Sequence, residues 1–193
     1  MSDDTPHKSK PHLWLIFGFL GIFFGGFVIT RIFLYDYYSI PSANMTPTIN
    51  IGDLVIVNKQ IYRNAASGKS DATKPKHGEI IAFHPPHAPD TTYLKRVIGV
   101  PGDIIKFSNK QLTINGTPLK TQKADGMTFT EKFNGISYHV QYINEQNPYR
   151  DFSATVPADH YFVMGDNRDN SLDSRAWGFV HNKALVGKVA IIW

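Results

Sequence analysis

A lysine inside an apolar strand is the first residue in this chain whose setting indicates chemistry. The stretch TTYLKRVIGVPGDII, residues 91–105, predicts a strand that ends in a Pro-Gly-Asp turn. Period-two alternation places Lys95 on the same face as Tyr93 and Val97, and Arg96 on the other face. Apolar neighbours favour the neutral amine, which is the form of lysine that acts as a general base near neutral pH. An edge strand with ordinary solvated charges is the alternative interpretation.

A polar loop near the C-terminal end is the second feature that indicates a site. Within residues 165–180, GDNRDNSLDSRAWGFV, the polar side chains include Asp166, Arg168, Asp169, Ser171, Asp173 and Arg175. The adjoining stretches YFVMGD, WGFV and VGKVAIIW are apolar and typical of buried strands. A tight loop with internal charge pairing, held between such strands, is predicted to position a site. A solvated acidic loop is the alternative.

A third segment, SIPSANMTPTINIGDLVIVNK over residues 39–59, precedes both of these in the chain. Pro41 and Pro47 exclude a regular helix there, and LVIVNK predicts a strand after the Gly-Asp turn. If the segment is extended, Ser42 and Asn44 point to the same face about 6.6 Å apart.

These segments, in this order, resemble the type I signal peptidases, which are membrane-bound serine/lysine endopeptidases that remove export signals from preproteins. Pro41, Ser42, Ala43 and Met45 match the box around the nucleophile of that family. The position of the nucleophilic serine holds Asn44 instead. An amide has no ionisable hydroxyl or thiol, so Asn44 cannot form an acyl-enzyme.

The resemblance implies a role for each matched residue. Lys95 corresponds to the general base, and Ser171 to the serine that orients it. Ser42 and the backbone N–H of Asn44 correspond to the oxyanion donors. In the C-terminal loop, the residues that match structural positions are Asp166 and the ion pair formed by Asp173 and Arg175. The implied substrates are exported preproteins with small residues one and three positions before the cut, and no metal or cofactor is implied.

Three explanations fit the residue at position 44. The chain cleaves by another route such as Ser42, although an offset of two residues is large for a hydroxyl that must reach within about 3 Å of the lysine nitrogen. Alternatively, it is a pseudoenzyme that binds signal peptides or a partner peptidase. The third explanation is an ordinary peptidase whose serine has been replaced, which takes one base change. A membrane-tethered β-domain that acts only as a scaffold would need none of the matched polar residues.

The composition fits one domain with a core. The 193 residues are 42% hydrophobic and include no cysteine, which excludes disulfides and thiol chemistry. The net charge is +4 with scattered lysines, so attraction to anionic lipid is favoured over nucleic-acid binding.

An apolar run near the N-terminal end predicts a membrane anchor over residues 13–34. Leu13 to Thr30 are all uncharged, and Trp14 and Tyr35 suit the two interfaces. A cleaved signal peptide is the alternative, but no small-x-small site follows the run. The resemblance implies a bacterial plasma-membrane protein with a single span and its C-terminal domain outside the cytoplasm.

The remaining segments complete the predicted organisation. Residues 1–12 are expected to form a polar tail, and residues 35–193 a mainly β domain that the resemblance describes as coiled antiparallel sheets. Two variable excursions are predicted within it, over 62–78 and 121–155. Residues 106–120 predict a hairpin with an Asn-Gly turn. His84 and His87 are interpreted as part of a surface loop rather than a metal site, because two prolines separate them.

Overall fold

The computed structural model describes residues 12–63, 73–143 and 151–193. Two helices in these ranges are α1 (His12–Leu34) and α2 (Ser174–Trp177), and a 3₁₀ turn covers Asn182–Ala184. The strands are β1 (Tyr35–Ser39), β2 (Leu54–Asn58), β3 (Ile80–Phe83), β4 (Tyr93–Gly99), β5 (Ile104–Ser108), β6 (Gln111–Ile114), β7 (Thr117–Pro118), β8 (Lys120–Asp125), β9 (Thr128–Phe133), β10 (Ile136–Gln141), β11 (Phe152–Thr155), β12 (His160–Met164), β13 (Val180–His181) and β14 (Leu185–Ile192).

The strands form three sheets in which every neighbouring pair is antiparallel. The largest sheet has the order β1-β2-β14-β3-β4-β12-β13, and the smaller ones have the orders β11-β5-β6-β7 and β10-β9-β8. The predicted mainly β class with antiparallel sheets is therefore confirmed. Strand β4 lies between β3 and β12, so the interpretation of its charges as those of an edge strand is wrong.

Both faces of the largest sheet are covered by apolar side chains. Alternate residues of β3 divide between the two faces, because Ala82 packs in one cluster and Ile81 and Phe83 in another. A third cluster joins β5 and β6 to β12. The central strands are therefore buried on both faces, and this rigid part of the fold carries Lys95.

Helix α1 leads directly into β1 at the edge of this sheet. Most of its described side chains are large and apolar, and many are well exposed: Trp14 is 87% exposed, Phe19 78% and Ile22 78%. Among the described residues, no helix proves long and apolar enough to cross a membrane. The anchor over residues 13–34 thus stays a prediction.

Parts of the predicted organisation fall outside the described residues. These parts are residues 1–11 of the polar tail, residues 64–72 of the first excursion and residues 144–150 of the second. The described part of the second excursion forms strands β8, β9 and β10, followed after the gap by β11. Residues 104–114 form a hairpin, and Asn115 and Gly116 both have positive φ in the turn that follows it, where the sequence predicts an Asn-Gly turn.

The C-terminal loop is more ordered than its sequence suggests. Asp173 caps a short helix, α2, because its side chain accepts a hydrogen bond from the backbone N–H of Arg175. The helix ends at Gly178, whose φ of 88° suits glycine. The prediction that WGFV forms a strand is wrong for Trp177, which lies in α2, and β13 begins only at Val180.

Candidate active site

Lys95 is buried in the middle of the largest sheet. Its side chain has no exposed surface, Ile81 lies opposite it on β3, and its Nζ atom is 5.7 Å from the centre of the Tyr93 ring. The prediction that Lys95 has apolar neighbours on its own face is confirmed. Within the described part of the chain, Nζ has no hydrogen-bond partner. A buried amine in this state can accept a proton from a group brought next to it.

Burial lowers the pKa of Lys95 from 10.5 to about 8. The carboxylates of Asp173 and Asp166 raise this pKa, and the guanidinium of Arg175 lowers it further. Because the desolvation of the ammonium group outweighs the attraction of the two carboxylates, the neutral amine is far more populated at about pH 7 than in an ordinary lysine, and it becomes the major form above about pH 8.

Asn44 begins a tight turn rather than an extended segment. Residues 44–48 are turn residues, and the backbone N–H groups of Thr48 and Ile49 both donate to the carbonyl oxygen of Met45 at 3.0 Å. The Met45 side chain is buried and fixes this turn against the core. The extended spacing considered for Ser42 and Asn44 therefore does not apply.

The C-terminal loop binds the backbone of this turn. The backbone N–H of Asn167 donates to the Asn44 carbonyl oxygen at 3.2 Å, and its side-chain amide donates to the Ala43 carbonyl oxygen at 3.1 Å. A Cβ atom at Gly165 would lie 2.5 Å from the Asn44 carbonyl oxygen and would collide with Oγ of Ser171. Glycine at 165 thus allows Asn44 and Ser171 to approach the same point of the chain.

Ion pairs fasten this loop, residues 165–175, which we call the signature loop. Asp173 and Arg175 form a pair inside the loop with bonds of 2.8 Å from both Nε and Nη2, and both side chains are almost fully buried. The other pairs leave the loop: Asp166 binds Arg96 of β4, and Arg168 binds Glu131 of β9. The prediction of internal charge pairing is therefore confirmed only for Asp173 and Arg175.

Arg96 connects the signature loop to the turn at Asn44. Its Nε donates to Asp166 at 2.8 Å, and Nη2 donates to Oγ1 of Thr48 at 3.2 Å. Thr48 also donates to Asp166. The three side chains hold β4, the turn and the signature loop in a fixed arrangement.

A groove opens beside the turn at Asn44. It has a volume of about 310 Å³, and its walls come from β1, the turn and the start of β4: Tyr38, Ile40, Ser42, Asn44, Ile49, Thr92 and Leu94 among them. Most of these side chains are apolar, and Ser42 and Asn44 provide polar groups where the groove meets the turn. A concave, mainly apolar groove with a few polar groups is typical of a ligand-binding site.

Sequence patterns alone did not identify Arg96, Thr48 or Glu131 as parts of this arrangement. The strand FTEKF contains the one available signal, since Glu131 alternates with Phe129 and Phe133 and so shares their face. His84 and His87 do not belong to the site: His84 Nδ1 lies 3.0 Å from the Thr91 carbonyl oxygen, and the His87 ring packs against Trp177.

The arrangement contains a base and a bound backbone turn. Lys95 supplies a buried amine whose pKa is low for lysine, and Ser42 supplies a hydroxyl at the groove. Position 44, which the signature loop holds by its backbone, carries an amide. The described site therefore has an amine that can accept a proton and has no hydroxyl or thiol at position 44.

Comparison with known proteins gives consistent matches. A family model described as "Signal peptidase, peptidase S26" matches residues 12–193. Signal peptidase I of Pseudomonas fluorescens is 36% identical over 192 residues, which cover 86% of this chain and 67% of that protein. Signal peptidase I of Pseudomonas aeruginosa is 34% identical, with the same coverage of 86% and 67%. A crystal structure of a signal peptidase I from Enterococcus faecalis is 30% identical, covers 61% of this chain and 97% of that one, and has a TM-score of 0.45.

Proposed function

We propose a function from the premise that this chain belongs to the signal peptidase family, peptidase S26. In this proposal the chain is a membrane-anchored member of the family that binds the signal peptides of exported preproteins. Within the same proposal Lys95 is the general base, and Ser42 with the backbone N–H of Asn44 forms the oxyanion site. Ser171 takes the family's role of orienting Lys95, although Lys95 Nζ makes no hydrogen bond within the described residues. Cleavage is blocked, because position 44 has no attacking hydroxyl.

The observation that carries this proposal is the state of Lys95. A lysine without exposed surface, with its pKa near 8 and with no hydrogen-bond partner among the described residues, destabilises the fold, and ionisable groups in such settings cluster at functional sites. A scaffold would lose nothing by replacing it with an apolar residue. The retained base therefore favours a peptidase whose nucleophile has been replaced over a scaffold.

Signal-peptide binding is proposed to use the groove beside Asn44. The groove is open to solvent and lined mainly by apolar side chains, and it requires no nucleophile to hold small residues. Ser42 lines the same groove two residues before Asn44, so the unmodified chain has a hydroxyl close to position 44 in sequence.

We expect the unmodified chain in detergent micelles to bind a labelled synthetic signal peptide that has alanine one and three positions before the cut. Thr92→Trp places a large ring at the lip of the groove and should weaken binding by at least about tenfold, since a filled pocket excludes the small side chains. Fluorescence anisotropy measures both affinities.

Met127→Trp is the matched control, because Met127 is already exposed and apolar and lies in the turn between β8 and β9. The affinity of the Met127→Trp variant for the peptide should equal that of the unmodified chain. Equal affinities for all three proteins would show that the peptide binds elsewhere.

The membrane part of the proposal places the anchor at residues 13–34. Helix α1 carries apolar side chains that nothing in the described chain covers, and β1 follows it without a linker. Burying such side chains in lipid is favourable by about 25 cal/mol per Å².

An apolar surface beside the anchor is proposed to rest on the bilayer. Tyr37, Ile56 and Ile191 lie in register across β1, β2 and β14, and so share one face of the sheet. Leu54 and Trp193 continue this row, and Trp193 is 81% exposed. Aromatic and aliphatic side chains of this kind suit a membrane interface.

Protease added to intact spheroplasts should degrade the domain that follows the anchor, since the family places it outside the cytoplasm. Immunoblotting against the C-terminal end detects the loss. A cytoplasmic protein should stay intact in the same sample. Full protection of the domain until the cells are lysed would refute this orientation.

A further inference from the structure

We propose that Glu131 is a positioning residue for the active site: through Arg168 it holds the signature loop against the turn that carries Asn44. The inference rests on the function proposed above, because that function places the reaction at this turn. Glu131 belongs to the excursion over residues 121–155, to which the sequence gives no role.

Glu131 forms a two-pronged ion pair with Arg168. Nη2 of Arg168 donates to Oε2 of Glu131 at 2.7 Å, and Nη1 donates to Oε1. Both side chains are buried, with Glu131 1% exposed and Arg168 without exposed surface. The hydroxyl of Tyr142 donates to the same carboxylate at 3.4 Å. Paired hydrogen bonds of this geometry fix the orientation of a guanidinium and also strengthen its attraction to the carboxylate.

Arg168 also bonds to other residues of the signature loop. Its Nε donates to the carbonyl oxygen of Gly165 at 3.2 Å, and its own carbonyl oxygen accepts a bond of 2.6 Å from Nη2 of Arg175. The backbone N–H of Arg168 donates to the carbonyl oxygen of Gln141 at the end of β10, 2.9 Å away. Gln141 in turn donates to the carbonyl oxygen of Asp166 at 2.8 Å. The loop is thus bound to the three-stranded sheet β10-β9-β8 on both sides of Asn167.

The position of the loop determines the position of Asn44. Asn167 holds the Asn44 carbonyl oxygen through its backbone N–H, and Gly165 lies against the same oxygen. If Glu131 loses its charge, Arg168 becomes a buried cation without its carboxylate partner. The loop must then move so that the guanidinium reaches water, and the contacts of Gly165 and Asn167 with Asn44 move with it.

A purely structural salt bridge is the competing explanation, and local hydrogen exchange distinguishes the two. In the otherwise unmodified chain, Glu131→Gln should accelerate exchange of the amides of Gly165, Asn167 and Arg168 by about tenfold, while the amides of β5 and β6 keep their rates. Glu79→Gln is the matched control, because Glu79 also pairs with a cation, Lys188, and makes no bond to the signature loop.

Unchanged exchange at these three amides, or equal acceleration over the whole chain, would overturn the proposal. If Glu131→Gln does not fold, Tyr142→Phe is the second variant. It removes a single hydroxyl that contacts both Glu131 and Arg168. It should accelerate exchange at the same three amides by a smaller factor, and no change there would again overturn the proposal.

Turnover supplies a second readout in the Asn44→Ser background. Glu131→Gln should lower kcat on the order of 100-fold with KM within about twofold, because the groove is intact and the reacting group is displaced. An unchanged kcat would overturn the proposal. Absence of turnover in Asn44→Ser itself would refute the proposed function, and the exchange measurement would still decide the role of Glu131.

Discussion

Replacing Asn44 with serine is expected to create preprotein cleavage, with kcat/KM at least about 10⁴-fold above that of the unmodified chain. The serine hydroxyl would stand at the turn that the signature loop holds. Lys95, whose burial lowers its pKa to about 8, is the proposed base. Ser42, the proposed oxyanion donor, remains in place in the groove. In the proposed mechanism only the attacking hydroxyl is missing, so this one substitution should restore cleavage.

The control for this gain is Asn44→Ala, which removes the amide without adding a hydroxyl and should stay inactive. The rate of Asn44→Ser should rise with pH and level off above a midpoint near 8, because only neutral Lys95 accepts the proton. A rate that does not depend on pH between about pH 6 and pH 9 would exclude Lys95 as the base.

Lys95→Met is expected to stabilise the folded chain at neutral pH and to change how its stability depends on pH. In the unfolded chain Lys95 has its ordinary pKa of 10.5, and in the fold its pKa is about 8. Between these two values the unfolded chain holds the extra proton, so the free energy of unfolding rises with pH. The full destabilisation, about 3 kcal/mol, is therefore present below pH 8 and disappears above pH 10.5.

Urea unfolding in micelles at about pH 6.5 and about pH 9.5 measures this effect. From the lower to the higher pH, the free energy of unfolding of the unmodified chain should rise by about 2 kcal/mol relative to that of Lys95→Met. Most of the range between the folded and unfolded pKa values of Lys95 lies within this interval. Lys106→Met replaces an exposed lysine of β5 and should follow the unmodified chain at both pH values. Parallel behaviour of Lys95→Met and the unmodified chain would show that Lys95 titrates with its ordinary pKa.

Local patterns in the sequence were sufficient to predict the strands near the site. Alternation in residues 93–99 places Lys95 among apolar side chains, and the structure has it there. The strand LVIVN and the Asn115-Gly116 turn also depend on neighbours in sequence, which explains why both were predicted. A residue's face on a strand follows from its own segment.

The contacts that hold the signature loop could not be predicted in this way. Arg96 and Asp166 are separated by 70 residues, and Arg168 and Glu131 by 37. Such pairs depend on which strands adjoin, and local periodicity carries no information about that order. The short helix α2 was missed for a different reason: Asp173 caps it and also pairs with Arg175, so the charges that suggested a loop form a helix N-terminus.

We propose that this chain has the base and the binding groove of a signal peptidase and lacks only the attacking hydroxyl. The most direct measurement incubates a preprotein with the unmodified chain and with Asn44→Ser, each with and without Lys95→Ala, and identifies any cut by mass spectrometry. Of these four proteins, only Asn44→Ser with Lys95 intact is expected to cut the preprotein. A cut by the unmodified chain that is lost in Ser42→Ala would move the nucleophile to Ser42. A cut by the unmodified chain that persists in Lys95→Ala would contradict the whole assignment of roles.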